Sequence, residues 1–242
     1  MKVTFIYHSC FTIEFEDIVL VFDYYKGKLP KWECSKKVIF FASHKHRDHF
    51  SLEILRNHKE YEQVEFVLSN DIKFTDKFLE RHGVDLQVKN KITHIGKDSS
   101  VVLGNGKKTI KVETLRSTDE GVAFIITYEG KTIYHAGDLN WWAWKGETEE
   151  EYKVMAEGYQ REINKLSDKK IDVAFVVLDP RQEERYWWGM DYFLNTVDAD
   201  IVFPMHCWEK YKIIDQFKLE KSSESYINKV MEIRGERESF NI

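Results

Sequence analysis

Ser43-His44-Lys45-His46-Arg47-Asp48-His49 places three imidazoles and a carboxylate between His44 and His49, directly behind the apolar run Val38-Ile39-Phe40-Phe41-Ala42. That run is short, rich in β-branched and aromatic side chains and bounded by polar residues, which predicts a buried strand. The His-rich segment is then the loop leaving the strand's C-terminal end, where a rigid scaffold presents its chemistry. His44 and His46 stand two apart and point the same way in an extended or turning backbone. Asp48 and His49 follow as an adjacent pair aimed at a neighbouring point. Imidazole and carboxylate donors suit Zn2+, Mn2+ or Fe2+, whereas a thiolate-selective site would need Cys here. Only nine His occur in the whole chain. A surface loop that happens to gather three of them is a poorer account of the segment than a metal site.

Working outward toward the N-terminus, residues 3–7, 11–15 and 18–22 form three apolar segments separated by short polar turns, the pattern of hairpin-connected strands. His8 falls at the first turn, where it is an ordinary turn residue unless that turn borders the metal loop. Asp23 ends the third strand; it either caps a turn or accepts the second ring N–H of a metal-bound His. Residues 26–37 read as a polar, solvated loop. Toward the C-terminus, residues 51–59 are predicted helical with Ser51 as N-cap, residues 64–68 as a strand, and residues 70–82 as a helix stopped by Gly83. His58, His82 and His94 read as surface residues. Gly104-Asn105-Gly106 predicts a turn into a strand at 109–115.

Strands at 122–128 and 131–135 flank the hairpin signal Glu129-Gly130, and Ala136-Gly137-Asp138 closes the second. An Asp after Gly at a strand end reaches into a shared site with little hindrance, though most such pairs are simple turns. Trp141, Trp142 and Trp144 follow, as core packing or as the lip of a pocket. Residues 147–170 predict an amphipathic helix. Buried strands at 171–178 and 200–204 end in Asp179-Pro180-Arg181 and Met205-His206-Cys207-Trp208, and residues 222–234 read as a surface helix. Arg181 and Arg185 either pair with Glu183 and Glu184 on the surface or present planar forks to phosphate or carboxylate oxygens, with Trp141, Trp142, Trp187 and Trp188 as apolar walls.

The bulk numbers bound the answer. The 242 residues are 43% hydrophobic and 32% charged, enough for one large α/β domain or two small ones; no linker or repeat interrupts them, so a single domain over 1–242 is expected. A net charge of −5 and an isoelectric point near 6.0 argue against sequence-independent nucleic-acid binding. No apolar run reaches membrane-spanning length, and the chain enters a strand from Met1, leaving no room for a signal peptide. Three Cys cannot all pair within one chain, and reduced thiols fit a cytoplasmic protein.

His44-x-His46-x-Asp48-His49 after a buried strand, with Asp138 and His206 at later strand ends, closely resembles the fingerprint of the metallo-β-lactamase-fold hydrolases, over nearly the whole chain. Tyr7-His8-Ser9-Cys10-Phe11 and Val21-Phe22-Asp23 resemble the branch of ascorbate-6-phosphate lactonase-like enzymes. The resemblance implies an α+β fold, a four-layer αββα sandwich. It also implies one or two metal ions, zinc first and Mn2+ or Fe2+ next. His44 and His46 would hold one ion, Asp48, His49 and His206 the other, with Asp138 between them. A third His that the family supplies after the strand at 109–115 is replaced by Arg116-Ser117-Thr118-Asp119, so either Asp119 substitutes or the first site is short of a ligand. The implied activity is a hydrolase in which metal-bound hydroxide cleaves an ester, lactone or phosphoester of a small anionic substrate. Asp48 orients the nucleophile or takes its proton, and His8 binds substrate or carries a proton. Two other readings stand beside it: a phosphodiesterase or nuclease, and a metal-binding regulatory protein without turnover.

Overall fold

The computed structural model describes residues 1–104 and 108–242; of the expected turn at Gly104-Asn105-Gly106, the last two residues lie outside them. In chain order the strands are β1 (Lys2–Tyr7), β2 (Cys10–Glu14), β3 (Ile18–Phe22), β4 (Lys37–Ala42), β5 (Val64–Ser69), β6 (Ile92–Ile95) and β7 (Ser100–Leu103). They continue as β8 (Ile110–Arg116), β9 (Val122–Tyr128), β10 (Lys131–His135), β11 (Lys170–Val177), β12 (Asp198–Met205) and β13 (Ser239–Asn241). The helices are α1 (Glu53–Arg56), α2 (Asp76–Arg81), α3 (Glu149–Asn164), α4 (Trp188–Thr196) and α5 (Lys212–Leu219). Contacts divide the chain into two units, Met1–Gly96 with Glu236–Ile242, and Lys97–Gly235.

The first unit is built on a mixed sheet ordered β13-β1-β2-β3-β4-β5-β6. Its opening strands pair antiparallel through short turns, and from β3 onward the pairing is parallel. The switch is written in the side chains. Ile18-Val19-Leu20-Val21-Phe22 and Val38-Ile39-Phe40-Phe41-Ala42 are buried at every position, as parallel strands covered on both faces must be. Val19, Val21, Val38, Phe40, Phe66 and Leu68 form one core with Ile54 and Leu55 of α1 and Leu79 of α2. Phe40 stacks on Phe66 with ring centroids 5.6 Å apart.

The second unit carries a sheet ordered β12-β11-β10-β9-β8-β7. β7 to β10 run antiparallel, and β10, β11 and β12 run parallel. In β8 the alternation Ile110, Val112 and Thr114 in, Lys111 out, marks a sheet with one wetter face. α3 starts at a capping box, Thr148 and Glu151 exchanging hydrogen bonds. Tyr159 from its buried stripe donates to the Gly189 carbonyl at 2.7 Å.

Several expectations are corrected by tertiary contacts. The helix at 51–59 stops at Arg56, because the His58 ring bonds the Leu55 carbonyl at 2.9 Å; His58 is buried, not on the surface. The helix at 70–82 shrinks to α2. The α-helix expected at 222–234 is broken into two short 3-10 turns, Lys221–Ser225 and Ile227–Lys229: Ser223 Oγ bonds the carbonyls of Lys218 and Glu220, the local competition that Ser offers a helix. Val230 bridges to Val202 and the Met231 N–H donates to the Val202 carbonyl at 2.8 Å, drawing this segment out along β12. β6, β7, α5 and β13 had no sequence signal strong enough to predict them. The loop at 26–37 is not wholly solvated, since Leu29 and Trp32 pack on the first unit's core over a cavity of about 580 Å³. No helix among the described residues is long and apolar enough to cross a membrane.

The burial pattern gives a stability contrast. Phe66→Ala removes a fully buried ring and should lower the unfolding free energy by about 3–5 kcal/mol. Val154→Ala, 60% exposed on α3, should stay within about 0.5 kcal/mol of wild type. Urea titration followed by far-UV circular dichroism reads both.

Candidate functional site

In the first unit, the parallel pairing of β3 with β4 sets Phe22 opposite Phe41 and continues with the Asp23 N–H donating to the Phe41 carbonyl at 2.8 Å. Asp23 therefore emerges beside Ser43, at the root of the His-rich loop. Its side chain is fully buried and its carboxylate is satisfied by donors of that loop. Ser43 gives its backbone N–H and its hydroxyl, each at 2.7 Å, and His49 gives Nδ1–H at 2.8 Å. Because the Ser43 hydroxyl proton goes to Asp23, its oxygen accepts from His44 Nδ1 at 3.0 Å. One carboxylate thus assigns the tautomer of two imidazoles, with the proton on Nδ1 and the lone pair on Nε2. Lys45, between His44 and His46, is anchored through its N–H to Asp71 Oδ2 at 2.9 Å, and the loop closes with His49 and Phe50 N–H on the His46 carbonyl.

The rings of His44 and His49 are 4.2 Å apart, and those of His44 and His46 4.6 Å. His8 sits in the turn after β1, buried, with Nε2 3.6 Å from Asp48 Oδ2. Ligand atoms of His8, Asp48 and His49 lie within 4.8 Å of one another, as do those of His44 and His46. His8 therefore belongs beside the loop rather than to an ordinary turn. Tyr25 stands edge-on to it at 6.3 Å. His8 and Asp23 both have positive φ, 55° and 45°, a conformation that costs a non-glycine residue energy and clusters at functional sites.

The second unit repeats the device. β11 and β12 pair in parallel with Val177 opposite Met205, which brings Asp179 beside His206. The buried Asp179 carboxylate accepts His206 Nδ1–H at 2.8 Å, Trp208 Nε1–H at 3.2 Å and Arg181 through its backbone N–H and its guanidinium, with Nη2 at 2.6 Å. Burial alone would raise the pKa of Asp179, but the hydrogen bonds from His206 and Arg181 outweigh it and bring the group down to about 2. His206 Nε2 lies 3.5 Å from Asp138 Oδ1. Trp142 and Trp208 stand edge-on to the imidazole at 5.8 and 5.6 Å.

Asp138 follows β10 in a tight turn whose Gly137 has φ 52°. Its carbonyl accepts Trp142 Nε1–H at 3.0 Å. Thr118 Oγ1 clasps the same turn, donating to the Asn140 carbonyl at 2.6 Å and accepting the Asn140 N–H at 3.0 Å. In the segment Arg116-Ser117-Thr118-Asp119 it is Thr118 that holds the Asp138 turn. Asp119 is exposed, with its N–H on Ser117 Oγ, and lines a groove along α3 with Glu147, Glu150 and Glu151. Arg181 is committed to Asp179, and Arg185 pairs with Glu184 at 2.9 Å while lying over Tyr152 and Trp188. Trp141 and Trp188 pack against each other beneath Tyr159 and Tyr192. Reading the sequence alone missed Ser43, Asp179 as an imidazole acceptor, and Trp208; a carboxylate one residue past a buried strand, already noted at Asp23, was the available signal for Asp179.

Within each unit the donors are of the kind that suits a divalent metal of borderline softness. His44, His49 and His206 carry the Nδ1 hydrogen bond that fixes a metal-binding tautomer, and Asp48 and Asp138 add oxygens. Thiolate ligation is disfavoured: burial, then the charge of Asp23, pushes the Cys10 thiol up, and burial with Asp179 does the same to Cys207.

Asp23→Ala would strand three buried donors of Ser43 and His49. It should lower the unfolding free energy by about 3–5 kcal/mol, measured by urea denaturation, with Asp23→Asn losing less because one oxygen acceptor remains.

A family model described as the β-lactamase superfamily domain matches residues 2–152. Among solved structures, a metallo hydrolase from the hyperthermophilic archaeon Ignicoccus hospitalis aligns with a TM-score of 0.65 at 20% identity, over 100% of this chain and 98% of that one. A protein assigned as a metal-dependent hydrolase from Parabacteroides distasonis aligns with 0.60 at 16% identity, over 95% and 90% of the two chains. The diiron β-hydroxylase CmlA of Streptomyces venezuelae aligns with 0.61 at 11% identity, over 100% of this chain and 54% of that one. At these identities the likeness to the solved structures is one of fold. The family match covers well over half of the sequence, and the chain belongs to the β-lactamase superfamily, with the α+β fold of its metallo-β-lactamase members.

Proposed function

We propose that residues 1–242 act as one metal-dependent hydrolase domain that cleaves an ester, lactone or phosphoester bond of a small anionic molecule. That the chain is a hydrolase-type enzyme follows from its family; bond and substrate are our reading. The observation that carries it is the set of histidines whose Nδ1–H is held by a buried carboxylate, directly or through Ser43: His44 and His49 by Asp23, His206 by Asp179. We assign His44, His46, Asp48 and His49 of the first unit, and Asp138 and His206 of the second, as metal ligands. Zinc is the first choice and Mn2+ or Fe2+ the next, the diiron relative being a reason to keep iron in view. The lactonase-like branch is supported by Tyr7-His8-Ser9-Cys10-Phe11 and Val21-Phe22-Asp23, and a cytoplasmic location by the three free thiols.

When bound, the metal supplies Lewis acidity toward a carbonyl or phosphoryl oxygen and brings the pKa of water to about 7. The protein's own groups do the rest. Asp48, beside His8, accepts the proton of the attacking water, and His8 returns a proton to the leaving group or holds the substrate. Asp23 and Asp179 keep the imidazoles from rotating during the cycle. Since Arg181 is committed to Asp179, the anionic character of the substrate rests on Lys26, whose Nζ is 3.8 Å from the Tyr7 ring and 5.8 Å from that of Tyr25, the neighbour of His8.

Metal analysis of the purified protein, combined with a screen of neutral and anionic esters, lactones and phosphodiesters, tests the reading; metal-loaded protein inactive on all three classes would reject it. His46→Ala and His206→Ala should each lose metal while keeping the wild-type circular dichroism spectrum. Titration of the stripped protein should show two unequal steps, because no third His completes the site of His44 and His46; two equal tight steps would count against the assignment. Asp48→Asn should lower kcat by about 10²–10⁴-fold. Lys26→Ala should raise KM for an anionic substrate about tenfold, or about 1.4 kcal/mol of binding, and leave a neutral one unchanged.

A further inference from the structure

Arg181 is bound more closely than a surface ion pair requires. Its guanidinium Nε lies 2.9 and 3.0 Å from the two oxygens of Asp179 and its Nη2 2.6 Å from one of them, while its backbone N–H reaches the same carboxylate at 2.8 Å. An exposed pair of this kind is ordinarily worth little. Here the Asp179 side chain is fully buried although that of Arg181 is 44% exposed, so the fork meets a buried carboxylate whose Oδ2 also accepts the His206 Nδ1–H.

The guanidinium is itself clamped. Its carbon lies 4.5 Å from the ring centroid of Trp208 and 5.4 Å from that of Trp144, and Trp144 stacks on Trp142 at 5.4 Å with the rings 7° from parallel. Trp208 also donates its indole N–H to Asp179 and stands against His206. The segment under this clamp is strained: His206, Trp208 and Glu209 have φ of 67°, 49° and 60°. Non-glycine residues hold that region only where their surroundings over-determine it, and the contacts of Trp208 include those to Asp179, Arg181 and His206.

From this geometry we infer that Arg181 is a positioning residue for His206: through Asp179 it sets the orientation and tautomer of the imidazole, and Trp208 with Trp144 holds the fork in register. The inference rests on the metal reading only in assigning His206 as a ligand. Lysine cannot replace Arg181, because an ammonium is a point charge without the planar fork that meets both oxygens or the face that stacks on indole.

The experiment uses full-length Arg181→Ala, Arg181→Lys and Trp208→Phe. Three measurements are made on metal-stripped protein: long-range 1H–15N NMR of the His206 ring (assigned by its loss in His206→Gln), zinc affinity by competition with a chromophoric chelator, and thermal unfolding. Wild type should show one tautomer, with the proton on Nδ1. Arg181→Ala and Arg181→Lys should show a mixture of tautomers and a zinc affinity 10–100-fold weaker. Trp208→Phe, which keeps a ring but loses the indole donor, should fall between. If Arg181→Ala does not fold, Arg181→Lys carries the test. An unchanged His206 tautomer with unchanged zinc affinity overturns the inference whatever happens to Tm, since a drop in Tm alone marks Arg181 as an anchor of its loop. Wild type that binds no zinc, manganese or ferrous iron would reject the metal reading, while the tautomer comparison would still decide the role of Arg181.

Discussion

A carboxylate buried at the C-terminal end of a parallel strand, accepting an N–H from a histidine at the end of the next strand, is the constraint on which this protein depends. Asp23 and Asp179 each occupy that position. Burying a carboxylate without partners is expensive, and the expense is offset only when its oxygens are met by well-placed donors. The donors come from the loops that bear the candidate metal ligands. Satisfying the charge and orienting the histidines are therefore one event, and a loop that drifts loses both.

The parallel register is what makes the device possible twice. In an antiparallel pair the end of one strand meets the start of its neighbour, whereas a parallel pair brings two C-terminal ends side by side. β3 with β4 and β11 with β12 are such pairs, and both are apolar enough to be covered on both faces. Core residues that seem remote from function, such as Phe22 opposite Phe41 or Val177 opposite Met205, fix the offset at which Asp23 meets Ser43 and Asp179 meets His206. The positive φ of His8, Asp23 and His206 is the local strain this geometry carries, sustained by the packing beneath it.

The two sets of carboxylate contacts are built differently. Around Asp23 the donors come from the loop itself, with Ser43 relaying to His44, so the arrangement is compact and local. Around Asp179 the donors include an arginine gripped between Trp144 and Trp208, and the strained turn after β12 is held from outside. The aromatic richness of the second unit thus divides by task. Trp142, Trp144 and Trp208 surround the His206 region, while Trp141 and Trp188 fill space around Tyr159 and Tyr192.

Most of the strands and the metal-ligand motif were legible in the residues themselves, because uninterrupted apolar runs and a tight group of imidazoles are local signals. The sequence by itself determined that the 38–42 run is a buried strand, that a cluster of imidazoles follows its C-terminal end, and that Asp138 and His206 close later strands. Tertiary structure alone decided the partners. Asp179 becomes an imidazole acceptor only through the register of β11 and β12, and Thr118 rather than Asp119 holds the Asp138 turn because its hydroxyl meets the backbone of Asn140. Arg181 turns to a buried carboxylate that no local pattern announces. The expected tail helix gives way to two short 3-10 turns and a single bridge to β12, where Val230 and Met231 meet Val202. Hydrogen bonds between residues tens of positions apart leave no periodicity to read, so these roles appear only once the chain has folded.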